Sequence, residues 1–248
     1  NLLIAIGGLT ALIGTIVMLT QTNVKSSLAW STVSQMGFML LQCGFGAFAA
    51  ATLHIVAHSL YKAHAFLASG SAVEAVQNAP GPRPTVGPRP LNLFAALVVS
   101  SLLFVAAGFF WGVSPAEKPA IVALGAILVM GLTQFCARGL SGKHGEYVAG
   151  QVLLTVAAGS WIYFGLQQGA SWVFGDVVPN TSAPGSIGTV LMVILLALFA
   201  LVSFLQLYGR NFANRWPGVY VHVSNGFYAN ALFDRLSGSY HAPVAKEN

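Results

Sequence analysis

The chain has 248 residues, of which 56% are apolar and 7% charged, with a formal net charge of +5. Soluble domains carry about 25% charged residues, so this composition excludes an ordinary soluble protein and indicates an integral membrane protein. The basic residues are thinly spread, which argues against nucleic-acid binding, and Cys43 and Cys136 both fall in apolar segments, which argues against a disulfide framework or a CxxC metal site.

A helix that crosses a bilayer needs about 20 apolar residues. The segments here are long and continuously apolar, which favours helices over a barrel. The sequence therefore predicts an all-α, polytopic transmembrane bundle over residues 1–208, followed by a cytoplasmic tail over 209–248. The chain begins at Asn1 inside an apolar run, and we expect further N-terminal spans to precede it. The seven predicted spans are 2–20, 28–44, 48–72, 91–112, 119–137, 147–166 and 186–208.

The basic residues support this number of spans. With seven crossings, one side of the membrane carries a single basic residue, Lys118, and Lys62 lies within a span. Basic residues concentrate on the cytoplasmic side of membrane proteins. We therefore expect a protein of the cell inner membrane whose C-terminus lies in the cytoplasm. The nine basic residues on that side are Lys25, Arg83, Arg89, Arg138, Lys143, Arg210, Arg215, Arg235 and Lys246.

The third span carries ionisable residues where a lipid-facing helix would have none. It contains His54, His58 and Lys62 at positions i, i+4 and i+8, with His64 outside this pattern. On a helix these three residues form one stripe, with a rise of about 6 Å per step. Three interpretations follow: hydrogen-bonded structural groups, a zinc site of the HxxxH type, or a proton relay. We favour the relay, because histidine titrates near neutral pH and ionisable groups within membranes usually mark ion pathways.

The second span carries a matching polar stripe. Ser27, Ser31, Ser34 and Gln35 follow helical spacing, and the short turn at 43–47 predicts that this helix packs antiparallel to the third. Such hydroxyl and amide groups can hold water in a bundle or simply join two helices by hydrogen bonds. The two stripes together predict a hydrated half-channel. The other spans carry only modest polar groups, such as Gln134, Tyr163 and Gln206.

Two segments are too polar or too rich in proline to cross the membrane. Residues 79–90, APGPRPTVGPRP, predict a stiff extended linker, either a plain spacer or a docking site for a partner. The tail from Arg210 contains aromatic residues and ends in a short amphipathic stretch over 228–236. It is expected to lie on the membrane surface or to contact a cytoplasmic partner.

Two motifs give the chain a family resemblance. Residues 25–37, KSSLAWSTVSQMG, resemble the signature of the antiporter-like proton-conducting subunits of respiratory complex I and of Mrp antiporters. His54, His58 and Lys62, followed by FLASGS at 66–71, resemble the histidine and lysine helix of that family. Asn23 stands where the family has aspartate, and residues 108–118, GFFWGVSPAEK, depart from its later pattern. The resemblance implies that the stripe belongs to a central hydrophilic axis for protons.

A shorter relative in that family fits these departures better, because the tail at 220–236, YVHVSNGFYANALFDRL, resembles that of the membrane subunits of the two-component DAB inorganic-carbon transporters. This resemblance implies a large cytoplasmic, DabA-like partner that contains zinc and is akin to β-carbonic anhydrases. The partner would hydrate CO2 to bicarbonate, driven by proton or sodium flow through this chain, which would carry no cofactor and no catalytic residue. A subunit of complex I or of an Mrp antiporter, and a non-conducting scaffold, remain as alternatives.

We expect each candidate residue to have a distinct role. Lys62 is the switchable charge, and His58 and His54 relay its proton. Ser31, Ser34 and Gln35 hold water, and Lys25 lies at the cytoplasmic mouth. The residues expected to bind the partner are Arg215, Tyr220, Phe227, Tyr228 and Phe233.

Overall fold

The fold is an all-α bundle. The computed structural model describes residues 1–69, 90–113, 119–140, 145–175, 177, 184–208 and 215–238. Each of the seven predicted spans corresponds to a helix, so the polytopic helical architecture is confirmed. The helices are α1 Leu2–Thr20, α2 Val24–Gly44, α3 Phe48–Ala68, α4 Pro90–Phe110, α5 Pro119–Leu140, α6 Gly145–Phe174 and α7 Ser186–Tyr208.

The observed ends of three helices, α2, α3 and α6, differ most from the predicted ones. α2 begins four residues earlier than predicted because the Asn23 side chain caps it, its Oδ1 accepting a hydrogen bond of 2.8 Å from the Lys25 backbone N–H. α3 ends at Ala68, four residues earlier than predicted. α6 continues to Phe174, eight residues beyond the predicted end, and is 30 residues long.

By length and composition alone, four of the described helices are apolar enough to span a membrane, namely α1, α4, α5 and α7. The other three long helices are α2, α3 and α6. α2 and α3 carry the two polar stripes, and α6 carries Tyr163 and Gln167. Polar groups in a membrane helix usually face the bundle interior, so these helices are the ones on which a polar site is expected.

α1 and α2 pack so closely that glycine is required between them. A Cβ added to Gly37 of α2 would lie 2.5 Å from the backbone nitrogen of Ala11 on α1. A Cβ on Gly7 would lie 2.5 Å from the backbone nitrogen of Leu41. Small residues allow membrane helices to approach in this way. This contact fixes the orientation of α2, and therefore the direction of its polar stripe.

The remaining helices complete two packed groups. α3 packs on α2, and α4, α5 and α6 pack on one another. α7 contacts both α1 and α5, and Leu195 of α7 lies against Gly8 of α1. α3 also contacts α6. The helices of the two groups border an open cavity, which is described below.

The tail folds back onto the bundle. It consists of α8 Pro217–Ser224, a 3-10 turn Gly226–Tyr228 and α9 Ala229–Leu236. The Gln21 side-chain amide donates a hydrogen bond of 3.1 Å to the Ser224 carbonyl, and Gly226 lies against the Trp30 ring. The tail and the α1–α2 connection therefore lie at the same end of the bundle, as seven crossings require.

Several predictions fall outside the described residues. In the linker at 79–90 only Pro90 is described, and it begins α4, a position that suits proline because its missing N–H is not needed there. Most of the loop basic residues on which the predicted orientation rests also lie outside the described ranges.

Candidate functional site

The ionisable stripe lies on α3 as predicted. The ring centroids of His54 and His58 are 6.1 Å apart, in an edge-to-face arrangement. Lys62, one turn further along, is only 6% exposed. His64 is exposed and does not belong to the stripe.

Lys62 points into the bundle although the end of its helix is close. Only six residues of α3, about 9 Å of rise, follow it, so the lysine could have extended toward the membrane surface. Instead its Nζ donates hydrogen bonds of 2.7 Å to the Ser31 hydroxyl and 3.2 Å to the Leu28 carbonyl. The Tyr61 ring centroid lies 5.8 Å from the same nitrogen. Ser31 therefore occupies the predicted position, facing the stripe.

His54 contacts a residue that the sequence analysis did not select. Its Nδ1 lies 3.0 Å from Oε1 of Gln42, and its ring packs 5.7 Å from that of Phe38. Gln42 is buried and lies two turns beyond Gln35 on the same side of α2. Extending the polar stripe by seven residues beyond Gln35, which is about two helical turns, would have found it. Contacts at both ends of the stripe confirm that α2 and α3 are antiparallel.

His58 lies between His54 and Lys62 on α3 and, unlike these two residues, has a buried side-chain nitrogen without a described hydrogen bond. Its Nε2 atom is buried and has no hydrogen-bond partner among the described residues. A buried ring nitrogen without a partner is costly. In a pathway, this atom is the one available to receive a proton.

The other predicted pathway residues occupy different positions. The Ser34 hydroxyl faces α1, where it donates to the Ala11 carbonyl at 2.9 Å and lies 2.7 Å from the Thr15 hydroxyl. Gln35 is half-buried and borders the cavity. The Lys25 side chain is exposed at the start of α2. The structure thus brings Ser31 to the stripe and directs Ser34 and Gln35 away from Lys62.

The cavity has a volume of about 710 Å³ and lies between α1, α2 and α3 on one side and α5, α6 and α7 on the other. His54 borders it, and Lys62 does not. Its further polar residues are spread over five helices that are distant in sequence, which is why no spacing in the sequence identified them as a group. They are Thr15, Ser34, Gln35, Gln42, Gln134, Tyr163, Gln167, Ser203 and Gln206.

The predicted partner-binding residues lie on or beside the folded tail. Arg215, Phe227, Tyr228 and Phe233 are exposed, and Tyr220 is half-buried. Consecutive positive φ angles of 53° at Phe227 and 57° at Tyr228 turn the chain between α8 and α9. Bulky residues seldom adopt this conformation. The turn leaves α9 without a buried residue.

Metal-ligating residues do not cluster in the described ranges. There, no group of three or more His, Cys, Asp and Glu residues could hold a metal ion. Cys43 and Cys136 are both free thiols.

The site helices fall in a segment that matches a known family. Residues 1–110 match the family described as NADH:quinone oxidoreductase/Mrp antiporter, transmembrane. This part of the chain is therefore similar to the antiporter family. The matched segment contains α1 to α4 and therefore both polar stripes, so the resemblance based on residues 25–71 is confirmed.

Similarity to individual proteins of the antiporter family extends over most of the chain. A protein of Halothiobacillus neapolitanus named probable inorganic carbon transporter subunit DabB2 is 36% identical over 95% of this chain and 43% of its own length. A Bacillus anthracis protein named probable inorganic carbon transporter subunit DabB is 33% identical over 81% of this chain and 38% of its own length.

A third relative is a subunit of a quinone oxidoreductase. Subunit 5 of the chloroplastic NAD(P)H-quinone oxidoreductase of Angiopteris evecta is 42% identical over 31% of this chain and 10% of its own length. The chain thus spans less than half the length of each of these three relatives. The resemblance to the membrane subunits of carbon transporters is confirmed, and the chain is a multi-pass membrane protein.

Proposed function

We propose that this chain is the proton-conducting membrane subunit of an inorganic-carbon transporter, with Lys62, His58 and His54 as its pathway. The similarity to proteins named as subunits of such transporters supports this assignment. The observation that carries the pathway is the environment of Lys62, which is buried and bonded to neutral oxygen atoms.

The two bonds of Lys62 suit a group that must gain and lose a proton. The charged ammonium donates to both the Ser31 hydroxyl and the Leu28 carbonyl. After losing a proton, the amine can accept from the Ser31 hydroxyl, because a hydroxyl can either donate or accept. It can still donate to the carbonyl. Both protonation states of Lys62 therefore keep two hydrogen-bond partners.

The two histidines provide the next sites for proton transfer after Lys62. His58 lies one turn from Lys62 and has its Nε2 atom free of described partners. At His54, Oε1 of Gln42 can only accept a hydrogen bond, so Nδ1 carries the hydrogen and Nε2 is left to take up a proton. Water molecules between the rings would complete the transfer.

The partner in this proposal is a large cytoplasmic zinc protein akin to β-carbonic anhydrases. It would hold the zinc and hydrate CO2 to bicarbonate, while proton flow through this chain supplies the driving force. The tail, exposed at the end of the bundle that carries Lys25, is the proposed contact surface. In this proposal the chain lies in the inner membrane and its C-terminus is in the cytoplasm.

A second candidate function is a proton-pumping subunit of NADH:quinone oxidoreductase or of an Mrp antiporter. The family match and the similarity to a chloroplastic quinone oxidoreductase subunit favour it. Gentle extraction followed by mass spectrometry of the co-purifying proteins separates the two. One large soluble zinc protein supports the carbon transporter, whereas several related membrane subunits support the alternative.

The pathway is tested by Lys62→Ala in the complete protein, with carbon uptake and retention of the partner as the measurements. We expect uptake to be abolished while assembly is preserved, because the variant removes the titratable group and leaves the packing of the helices. His64→Ala is the matched control, since His64 is exposed on the same helix. Normal uptake by the Lys62→Ala complex would show that the stripe is a non-conducting scaffold.

Lys62→Arg tests proton release separately from positive charge. Arginine keeps the charge but does not lose its proton in proteins. We expect the Lys62→Arg complex to assemble and to transport little. Wild-type transport by this variant would mean that Lys62 acts as a fixed charge, and the relay would be wrong.

A further inference from the structure

The cavity beside His54 has polar groups that the pathway on α3 does not use. Five glutamines border it: Gln35, Gln42, Gln134, Gln167 and Gln206. They come from four helices, with two from α2 and one each from α5, α6 and α7. His54 is the one histidine among the described lining residues, and these include no lysine, arginine or acidic residue.

Glutamines within a membrane bundle need hydrogen-bond partners. Each carboxamide has two donors and an acceptor, and a polar group buried without partners costs several kcal/mol in lipid. Gln42 contacts His54, and Gln167 hydrogen-bonds the Tyr163 side chain. A cavity of about 710 Å³ has room for about twenty water molecules at about 30 Å³ each. Water can satisfy the remaining carboxamide groups.

The cavity extends the pathway sideways across the bundle. His54 forms part of its α3 wall, and Gln134, Gln167 and Gln206 lie on the opposite helices. We propose that this cavity is a hydrated chamber whose glutamines hold a water chain that exchanges protons with His54 without a further charged side chain. This inference rests on the proposed function, because it needs His54 to carry protons.

The lining chemistry favours protons over metal cations. A hydrated metal ion in low dielectric requires compensating charge or a full set of oxygen ligands, and the described lining residues include no acidic side chain. A proton can instead move through hydrogen-bonded water. Neutral carboxamides orient that water and do not retain the proton as a titratable side chain would.

The presence of water is tested independently of transport by cysteine accessibility. In a Cys43→Ala, Cys136→Ala background, Gln167→Cys and Gln134→Cys are treated with a small hydrophilic methanethiosulfonate in the membrane-embedded complex. Ile162→Cys is the matched control, since Ile162 is 59% exposed on α6, lies within the span 147–166 predicted from the sequence and does not border the cavity. The thiolate is the reactive species and forms only where water is present. We expect positions 134 and 167 to react quickly and position 162 slowly. A slow reaction at positions 134 and 167, or equal rates at all three positions, would overturn the chamber.

A second experiment tests whether protons pass through the chamber. Gln167→Leu is compared with the control Gln168→Leu, and both carbon uptake and retention of the partner are measured. We expect uptake to fall about tenfold in Gln167→Leu, the factor that corresponds to the loss of one interaction, and to stay unchanged in Gln168→Leu. If Gln167→Leu transports normally while Lys62→Ala does not, the chamber is refuted and the α3 pathway stands. If Lys62→Ala also transports normally, the proposed function itself fails.

Discussion

At the scale of single residues, the sequence identified the charges of the site but not all of their partners. The spacing of His54, His58 and Lys62 was sufficient to place them on one face of α3. Gln42 was missed because its partner His54 is 12 residues away and the contact forms only when α2 and α3 pack. The role of Ser34 depended on a third helix, because α1 supplies the acceptor for its hydroxyl.

Ser31 is the residue whose removal tests the hydrogen bonding of Lys62 directly. Ser31→Ala removes the 2.7 Å bond and leaves only the Leu28 carbonyl for Nζ. A hydrogen bond to a charged group contributes about 1.5–3 kcal/mol, so we expect transport to fall by roughly tenfold or more, with assembly unchanged. Carbon uptake by the purified complex in vesicles is the measurement.

The matched control for this variant is Ser59→Ala. The Ser59 hydroxyl bonds only the Ile55 carbonyl of its own helix among the described contacts, and its side chain is exposed. Ser59→Ala should transport at the wild-type rate. Equal transport by the Ser31 and Ser59 variants would show that the Lys62 contact is dispensable.

At the scale of helices, the polar stripe on α2 faces the site because of the glycines on its other side. Gly37 and Gly44 lie against α1, and their positions oppose those of Ser31 and Gln42 around the helix. The presence and apolarity of the helices were predictable from sequence, whereas their end points and the length of α6 were not. Asn23 begins α2 by capping it, and hydrophobicity does not detect a cap.

Gly37→Ala is expected to destabilise the α1–α2 pair. The added methyl group would lie 2.5 Å from the Ala11 nitrogen, and backbone atoms cannot move aside as a flexible side chain can. Overpacking of this kind costs typically about 1–3 kcal/mol, so the thermal unfolding temperature in detergent should fall by several degrees. Gly169→Ala, at a helical glycine with open space around it, provides the comparison. An unchanged unfolding temperature for Gly37→Ala would mean that the two helices are not in close contact.

At the scale of the whole molecule, the seven long helices were predictable from hydrophobicity, but their arrangement was not. The cavity is bordered by polar residues from several helices that are distant in sequence, such as Gln134, Tyr163 and Gln206. Each of these is an ordinary polar residue within its own helix. Their convergence depends on the long-range packing of α5, α6 and α7 against α1 to α3, which no local pattern encodes.

The position of the tail is also a property of the whole molecule, and it leads to the last prediction. α8 is fixed to the bundle by the Gln21–Ser224 hydrogen bond, while α9 has an uncovered apolar face. Leu232, Phe233 and Leu236 on this face are 57%, 69% and 87% exposed. Exposed apolar groups of this kind mark interaction surfaces.

We expect Phe233→Asp to reduce the amount of the proposed zinc-containing partner protein that co-purifies with the chain, because it introduces a charge into an apolar contact. Ala231→Asp introduces the same charge on the opposite side of α9, since two residues correspond to a rotation of about 200° around the helix, and should retain the partner. Quantitative mass spectrometry of the purified complex gives the ratio of the two chains.

Full retention of the partner by Phe233→Asp would exclude this face of α9 as the contact and would leave the exposed residues of α8 to be tested. Loss in both variants would instead indicate that any added negative charge on the tail disrupts assembly, as expected for an electrostatic contact with the basic end of the bundle.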